Sequence, residues 1–205
     1  MGFFSKLKDL QDFHGEGERP SENVVKHFGE PARSLYTESK FTLNNRIDVT
    51  DDQGQILYQT NSKIVSVRGK TDIMDAKGNP VAHIEKPPVS LHEKHFITMA
   101  DGREFTLSNE LFHIVRDITN IEGLGWTLKG NVIGLNFNLF DQYGEPVAAI
   151  SQKMVSLRNR YSMDIYQPEQ EAVVVAIVIA LGKMLEARRE DDVDSSSVFS
   201  IFGND

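Results

Sequence analysis

The chain has 205 residues, a net charge of −8 and no cysteine. This length can bury one sizeable core, and the absence of cysteine excludes disulfides, thiolate chemistry and cysteine-ligated zinc. Residues 190–205 carry five acidic residues and no basic one, so most of the negative charge lies at the C-terminal end. The rest of the chain is nearly balanced in charge, which argues against a nucleic-acid partner.

The N-terminal segment, residues 1–33, begins with an amphipathic stretch and continues as a loop. Its apolar residues recur at roughly helical spacing: Phe3, Phe4, Leu7, Leu10 and Phe13. Two interpretations stay open, an interfacial or docking helix and a helix that packs on the end of the folded domain. The start lacks the long apolar core and cleavage site of a secretory signal, so we expect a cytoplasmic protein.

Three segments share the motif Asp-x-x-Gly, at residues 51–54, 75–78 and 141–144. Aspartate favours the first position of a type I turn and glycine favours the position with positive φ, so each motif predicts a hairpin turn. Fourteen residues after each aspartate, Val-Ser-Val or Val-Ser-Leu follows, and then two basic residues spaced two apart. Agreement at so many offsets predicts an internal repeat.

Between these motifs, apolar and polar residues alternate along the chain. Leu135, Phe137 and Leu139, for example, alternate with asparagines. This period of two predicts an antiparallel sheet with one buried face. Roughly 130 residues of such sequence leave room for about twelve strands.

The segment 172–181, AVVVAIVIAL, is apolar on every side. Pro168 before it and Arg188 after it suit the two ends of a helix, so we predict a helix over 168–188. A helix with no polar face must be surrounded by protein. The run rises only about 16 Å before Lys183 interrupts it, too short for a bilayer core of about 30 Å, so we do not expect a transmembrane helix.

A many-stranded sheet and an apolar helix bury each other if the sheet curls around the helix. A wall about 10 Å from the axis closes with about ten tilted strands. We therefore predict a mainly β domain over 34–189, in which a closed antiparallel barrel of about twelve strands surrounds the C-terminal helix. Residues 190–205, acidic and serine-rich with a Phe-rich tip, are predicted to form a flexible tail.

The Asp-x-x-Gly turns, the [KP]-x-V-S-[VL]-[RH]-x-[KR] strands and the valine-rich helix together resemble the LURP-one-related family, over about residues 34–188. That family is similar to the tubby C-terminal domain and to phospholipid scramblases. The resemblance implies a twelve-stranded barrel around a hydrophobic helix. Tubby domains bind phosphoinositides and scramblases act on membrane lipid, but no ligand-contacting residue of tubby can be placed on this chain.

The best candidate binding residues are the basic residues of the repeat. A spacing of two puts each pair on one face of a strand, which we predict to be the outer face. Such cations can bind a phospholipid headgroup or another phosphorylated ligand, or they can be solubilising charges spread around a barrel. The candidates are Lys63, Arg68, Lys70, His92, Lys94, Lys153, Arg158 and Arg160.

No motif of catalysis, metal binding or cofactor binding is found. His92 and His95 point to opposite faces of a strand, and the glycines around Trp126 lack the strand-then-helix context of a dinucleotide loop. We predict a non-enzymatic binding or adaptor domain without metal or cofactor, peripheral at the inner membrane surface. The alternatives are an enzyme with its site at a barrel mouth, and a scaffold that binds proteins through Phe3, Phe4, Phe199 and Phe202.

Overall fold

The computed structural model describes residues 29–38, 46–61, 69–87, 94–108, 118–155 and 158–201. Within these residues lie twelve strands and one long helix, α1. The strands are β1 (Arg33–Glu38), β2 (Asp48–Thr50), β3 (Ile56–Asn61), β4 (Lys70–Asp75), β5 (Pro80–Glu85), β6 (Lys94–Met99), β7 (Glu104–Ser108), β8 (Ile118–Ile121), β9 (Trp126–Asn131), β10 (Asn136–Phe140), β11 (Pro146–Val155) and β12 (Arg158–Ile165). A 3₁₀ turn, Pro168–Gln170, precedes α1 (Glu171–Ile201).

The strands form one antiparallel sheet in the order β7-β6-β5-β4-β3-β2-β1-β12-β11-β10-β9-β8. Among the residues that the structure describes, one bridge joins the two edges of the sheet, between Thr106 on β7 and Glu122, the residue after β8. There the amide nitrogen of Thr106 lies 3.0 Å from the carbonyl oxygen of Glu122. The sheet is therefore a nearly closed barrel, which confirms the predicted architecture.

The three Asp-x-x-Gly motifs form equivalent hairpin turns. Each aspartate carboxylate accepts hydrogen bonds from the backbone amides two and four residues later. Each glycine has a positive φ, and its amide donates to the carbonyl oxygen of the aspartate. The register shifts beside each turn, at Val49/Thr50, Ile73/Met74 and Leu139/Phe140. The repeat is confirmed in its turns, whereas most of its Val-Ser part lies outside the described residues.

The first half of α1 lies inside the barrel. Every residue from Val173 to Leu181 has 0% exposed surface. Nine residues make more than two helical turns, so every face of this part is covered. The helix packs against β5, β6, β7 and β12. The predicted central helix is thus confirmed. Within the described residues, no helix has both the length and the apolar character needed to cross a bilayer.

The helix continues to Ile201, thirteen residues past the predicted end at Arg188. The sequence contains no glycine or proline between Lys183 and Phe202, so nothing in it forces the helix to stop. The predicted flexibility of 190–205 stays a prediction, and 202–205 lie outside the described residues. Residues 1–28 also lie outside them, so both interpretations of the N-terminal segment stay open.

The barrel has two distinct ends. At one, the turn end, lie the turns that begin with Asp51, Asp75 and Asp141, and β12 passes into α1. From there α1 runs through the barrel to the other end, the exit end. Strands an even number of places apart in an antiparallel sheet run in the same direction. Because β12 begins at the exit end, β2, β4 and β6 begin there as well.

Polar contacts fix the start of α1 at the turn end. The hydroxyl of Tyr58 donates to Oε1 of Glu171 at 2.8 Å, and Nη1 of Arg33 lies 3.2 Å from Oε2 of the same carboxylate. Nη1 of Arg103 donates to Oε1 of Gln170 at 2.6 Å. The helix therefore enters the barrel at a position determined by β1, β3 and the β6–β7 turn.

Candidate functional site

The structure describes the predicted basic residues to different extents. Side chains are described for Lys70 and Lys94. Lys153, Arg158 and Arg160 are placed by strand, on β11 and β12, where the first and last are register partners. The remaining candidates, Lys63, Arg68 and His92, lie outside the described residues, as do Phe3, Phe4 and Phe202. Phe199 lies on α1.

Lys70 and Lys94 each begin a strand at the exit end and lie on the outer face. Their following residues, Thr71 and His95, are buried on the inner face. Nζ of Lys70 lies 3.3 Å from Oε1 of Glu85, and Nζ of Lys94 lies 3.9 Å from a carboxylate oxygen of Glu122. All four side chains are more than a third exposed. Such surface ion pairs contribute little to stability, about 0–1 kcal/mol, so both lysines can exchange these partners for another anion.

Strand order distributes the basic positions around the rim of the exit end. Lys94 begins β6 and Arg158 begins β12, and these strands lie six places apart in the twelve-stranded ring, on opposite sides of the barrel. Lys70, on β4, lies between them. The fold thus brings these residues to one end of the barrel but does not gather them into one patch. We call the positions 70, 94, 153, 158 and 160 the rim.

The turn end has the opposite charge character. Four exposed or half-exposed aspartates lie in its hairpin turns, Asp51, Asp75, Asp101 and Asp141. A hydrogen bond from the Asn79 side chain lowers the pKa of Asp75, and one from Arg103 lowers the pKa of Asp101. Both carboxylates are therefore ionised at neutral pH. The barrel has a basic rim at one end and acidic turns at the other.

The structure also reveals basic residues inside the exit end that the sequence analysis did not assign to the site. Lys183, on α1, and His95, on β6, each expose only 5% of their surface. Within the described part of the chain, neither ring nitrogen of His95 has a hydrogen-bond partner. Burial, followed by the positive charges of Lys86 and Lys183, lowers the pKa of His95 to about 4, so its ring is neutral at pH 7. Burial also lowers the pKa of Lys183.

Two signals in the sequence pointed to these residues. Lys183 is a charged residue that follows the apolar run of the central helix after a single glycine. In the stretch His92 to His95, strand alternation puts His95 on the face opposite to Lys94. If Lys94 lies on the outer face of the strand, its neighbour His95 must therefore lie on the inner face.

A groove with a volume of about 390 Å³ lies on the outer surface at the seam between β7 and β8. Its lining includes Phe96, which is 47% exposed, and the carboxylates of Glu104 and Glu122. Gly123 also lines the groove, and a Cβ at this position would lie 2.6 Å from the carbonyl oxygen of Glu104. The groove belongs to the seam of the barrel rather than to its mouth.

A twelve-stranded antiparallel barrel around a C-terminal helix defines the class of this protein: a barrel domain whose core is filled by its own helix. A family model described as LURP-one-related matches residues 33–182. The chain therefore belongs to the LURP-one-related family, as the sequence motifs predicted.

A crystal structure of a protein from Arabidopsis thaliana is similar to this chain. The two are 13% identical, the similarity covers 80% of this chain and 93% of the other, and the TM-score is 0.48. No curated protein sequence matches the chain.

Proposed function

We propose that this domain is a non-enzymatic binding module that contacts anionic phospholipid headgroups with its exit end. One observation carries the proposal: β4, β6 and β12, which begin with Lys70, Lys94 and Arg158, all begin at that end. A ring of cations spaced around a rim cannot converge on one small anion. It can lie against a flat anionic surface, where all members make contact together.

The charge asymmetry of the barrel supports this orientation. A basic residue close to an anionic membrane contributes about 1 kcal/mol, and this attraction fades within a Debye length of about 8 Å. The acidic turns lie at the far end of the barrel, beyond that distance. A chain with a net charge of −8 can therefore approach an anionic surface favourably when its exit end leads. The module would be peripheral at the inner membrane surface.

The proposal is tested by co-sedimentation with vesicles of phosphatidylcholine alone and of phosphatidylcholine mixed with phosphatidylserine. We expect binding to the mixed vesicles, and we expect it to weaken as salt rises. Two double variants test the rim: Lys70→Ala with Lys94→Ala, and Arg158→Ala with Arg160→Ala. Each should weaken binding to the mixed vesicles roughly tenfold to thirtyfold, because each basic residue contributes about 1 kcal/mol.

Lys77→Ala is the matched control, because Lys77 is an exposed lysine in the Asp75 turn at the opposite end. It should leave vesicle binding unchanged, because the attraction to the surface fades within a Debye length. Absence of binding to the mixed vesicles, or equal loss in the Lys77 variant, would contradict the proposed function. Protein capture through the Phe-rich ends would then be the function to test.

A further inference from the structure

On one side of the barrel, the outer face of the sheet is buried. On β10, Phe137 and Leu139 belong to the core around α1, whereas Phe140 lies outside that core and still has only 1% exposed surface. Strand alternation places Phe140 on the outer face, and the same holds for residues of β9, β11 and β12. We call these outward positions, none of them more than 8% exposed, the covered face: Thr127, Lys129, Asn138, Phe140, Ala149, Ser151, Ser162 and Asp164.

The outer face of β6 shows what an uncovered part of the wall looks like. Phe96 is 47% exposed there, and Thr98 is exposed as well. Thr127, the threonine on the covered face, is only 5% exposed. A side chain that projects from a strand into solvent keeps much of its surface. The difference between Phe96 and Phe140 therefore requires a layer of protein over β9 to β12.

Within the described ranges, no strand or helix supplies that layer. The twelve strands form the wall itself, and α1 runs through the barrel and leaves it at the exit end. Two polar atoms, Oδ1 of Asn138 and Oη of Tyr166, are also buried and have no hydrogen-bond partner in the described part of the chain. Water would hydrate them on a bare wall. The structure contains one copy of the chain, so the layer belongs to the same chain.

The stretches between strands that lie outside the described residues are poor candidates for this layer. Each of them connects two strands at the exit end. Phe140 and Asp164 lie towards the turn end, where β10 and β12 finish. The longest stretch has nine residues, and the set is 39–45, 62–68, 88–93, 109–117 and 156–157.

Residues 1–28 have a suitable attachment point, length and composition. The amide of Ala32 donates to the carbonyl oxygen of Ile165 at 2.8 Å, so the chain reaches β1 at the turn end, directly beside β12. The four strands β9 to β12 span about 14 Å at a spacing of about 4.8 Å, and a helix over residues 1–13 would span about 20 Å. Its apolar residues, at positions 3, 4, 7, 10 and 13, would share one side.

We propose that residues 1–28 fold back over the outer face of β9 to β12, and that the apolar side of the stretch 3–13 buries Phe140 and Ala149. The surface is thus an intramolecular docking site, and the occupant is the N-terminal segment of the same chain. Phe3 and Phe4 are then part of the domain and not a free motif for a membrane or a partner protein. The contact does not involve the rim.

A spin label on the N-terminal segment tests the position of that segment in the folded protein. The chain contains no cysteine, so Ser5→Cys carries the label at one defined position, on the side of the stretch opposite to its apolar residues. In ¹H–¹⁵N spectra of the full chain, we expect the label to broaden the amide signals of Lys129 and Asn138. The signals of Asp72 and His83, on β4 and β5 across the ring, should stay sharp.

A label at Lys77→Cys is the matched control. Lys77 lies in the turn between β4 and β5, so this label should broaden the signals of Asp72 and His83 and leave those of Lys129 and Asn138 unchanged. A mixture of spin-labelled chains without ¹⁵N and ¹⁵N chains without spin label should show no broadening. Broadening in the mixture would assign the layer to a second copy. Sharp β9–β12 signals in the Ser5-labelled chain would place residues 1–28 elsewhere. Either result overturns the inference.

Cysteine reactivity tests whether the apolar side of the stretch makes the contact. Thr127→Cys is the reporter on the covered face, and Thr98→Cys is its exposed counterpart on β6. We expect iodoacetamide to modify Thr127→Cys slowly. Addition of Leu7→Asp should accelerate this modification at least roughly tenfold, because the segment loses the burial of a leucine. Ser5→Asp adds the same charge on the other side and should leave the rate unchanged. Equal rates with Leu7→Asp and Ser5→Asp would contradict the proposed contact.

Ala180→Cys distinguishes displacement of the segment from unfolding of the domain. Ala180 has no exposed surface inside the barrel, so a cysteine there should stay protected in the Leu7→Asp variant. Equal exposure of Ala180→Cys and Thr127→Cys would mean that Leu7→Asp unfolds the domain, and the spin-label result then decides alone. Vesicle binding enters neither measurement, so a failure of the proposed function leaves this inference intact.

Discussion

The carboxylate of Glu171, the first residue of α1, accepts a hydrogen bond of 2.8 Å from the hydroxyl of Tyr58 on β3. Glu171 is only 8% exposed. Burial, and then the hydrogen bond to this carboxylate, raise the pKa of Tyr58 well above its usual range. The contact joins the axial helix to the barrel wall at the point where the helix enters. It connects residues 113 positions apart in the chain.

We predict that Tyr58→Phe lowers the free energy of unfolding by about 1–2 kcal/mol, because a buried carboxylate oxygen loses its donor. Urea denaturation followed by circular dichroism measures this change. Tyr143→Phe is the control, since Tyr143 is 71% exposed, and it should have an effect within about 0.5 kcal/mol. Equal effects of the two substitutions would show that the contact with Glu171 adds no stability.

The centre of α1 is predicted to be highly sensitive to loss of volume. Ile177 has no exposed surface and lies in the part of α1 that the barrel encloses. Ile177→Val should destabilise the domain by about 1 kcal/mol, and Ile177→Ala by about 2–5 kcal/mol, because the closed wall cannot collapse around the cavity. Ile133→Ala, at a position that is 52% exposed, should cost less than about 0.5 kcal/mol. A cost for Ile177→Ala as small as that for Ile133→Ala would mean that the helix is not enclosed.

The seam of the barrel depends on the absence of a side chain at Gly123. Its φ is +95°, and a Cβ there would lie 2.6 Å from the carbonyl oxygen of Glu104 and 3.0 Å from Cα of Phe105. Gly78 has a similar φ of +84°, but a Cβ there would meet no atom within 4 Å. Alanine substitutions at the two positions can therefore be compared. The Gly78 variant has only the cost of the backbone conformation, whereas the Gly123 variant also has the cost of a steric clash between two strands.

Gly78→Ala should cost about 1–2 kcal/mol from the backbone conformation alone. Gly123→Ala should cost roughly 1–3 kcal/mol more, because the strands must move apart. Hydrogen exchange at the Thr106 amide should also be faster in the Gly123 variant than in the Gly78 variant. Similar stabilities and exchange rates in the two variants would contradict the proposed tightness of the seam.

His95 is predicted to make the domain sensitive to mild acid. Its pKa is about 4 in the fold against an ordinary value of 6.5, so between these values the unfolded chain binds a proton that the folded chain does not. Stability is therefore lost as the pH falls through this window, by about 2 kcal/mol between about pH 7 and about pH 5. Burial is the main cause that opposes protonation of the ring, and the positive charges of Lys86 and Lys183 add to it.

Urea denaturation of the wild type and of His95→Leu at both pH values isolates this contribution. The variant should lose about 2 kcal/mol less than the wild type on acidification. The same loss in both proteins would show that other groups, such as the carboxylates of the turns, cause the whole effect. The His83→Leu variant serves as the control for removal of a histidine at a half-exposed position.

Some features of this protein follow from the local sequence. The Asp-x-x-Gly turns depend on bonds that reach only two to four residues, so the sequence alone identified all three turns. The central helix was equally predictable, since an apolar circumference from Val173 to Leu181 has no stable place except inside a wall. The end of the helix was not predictable, because the chain after Lys183 contains neither a stop residue nor a second apolar pattern. For the same reason Arg188 was a poor marker of the helix end.

The candidate site was only half visible in the sequence. Alternation along a strand predicted that Lys70 and Lys94 face outwards, but their distribution around a rim depends on strand order, which no local pattern encodes. The proximity of His95 and Lys183 depends still more on the tertiary structure. His95 and Lys183 are 88 positions apart, and each has an ordinary explanation when considered alone. Only the passage of α1 through the barrel brings the two together, because their proximity comes from the packing of a distant helix on a strand and not from any short-range interaction.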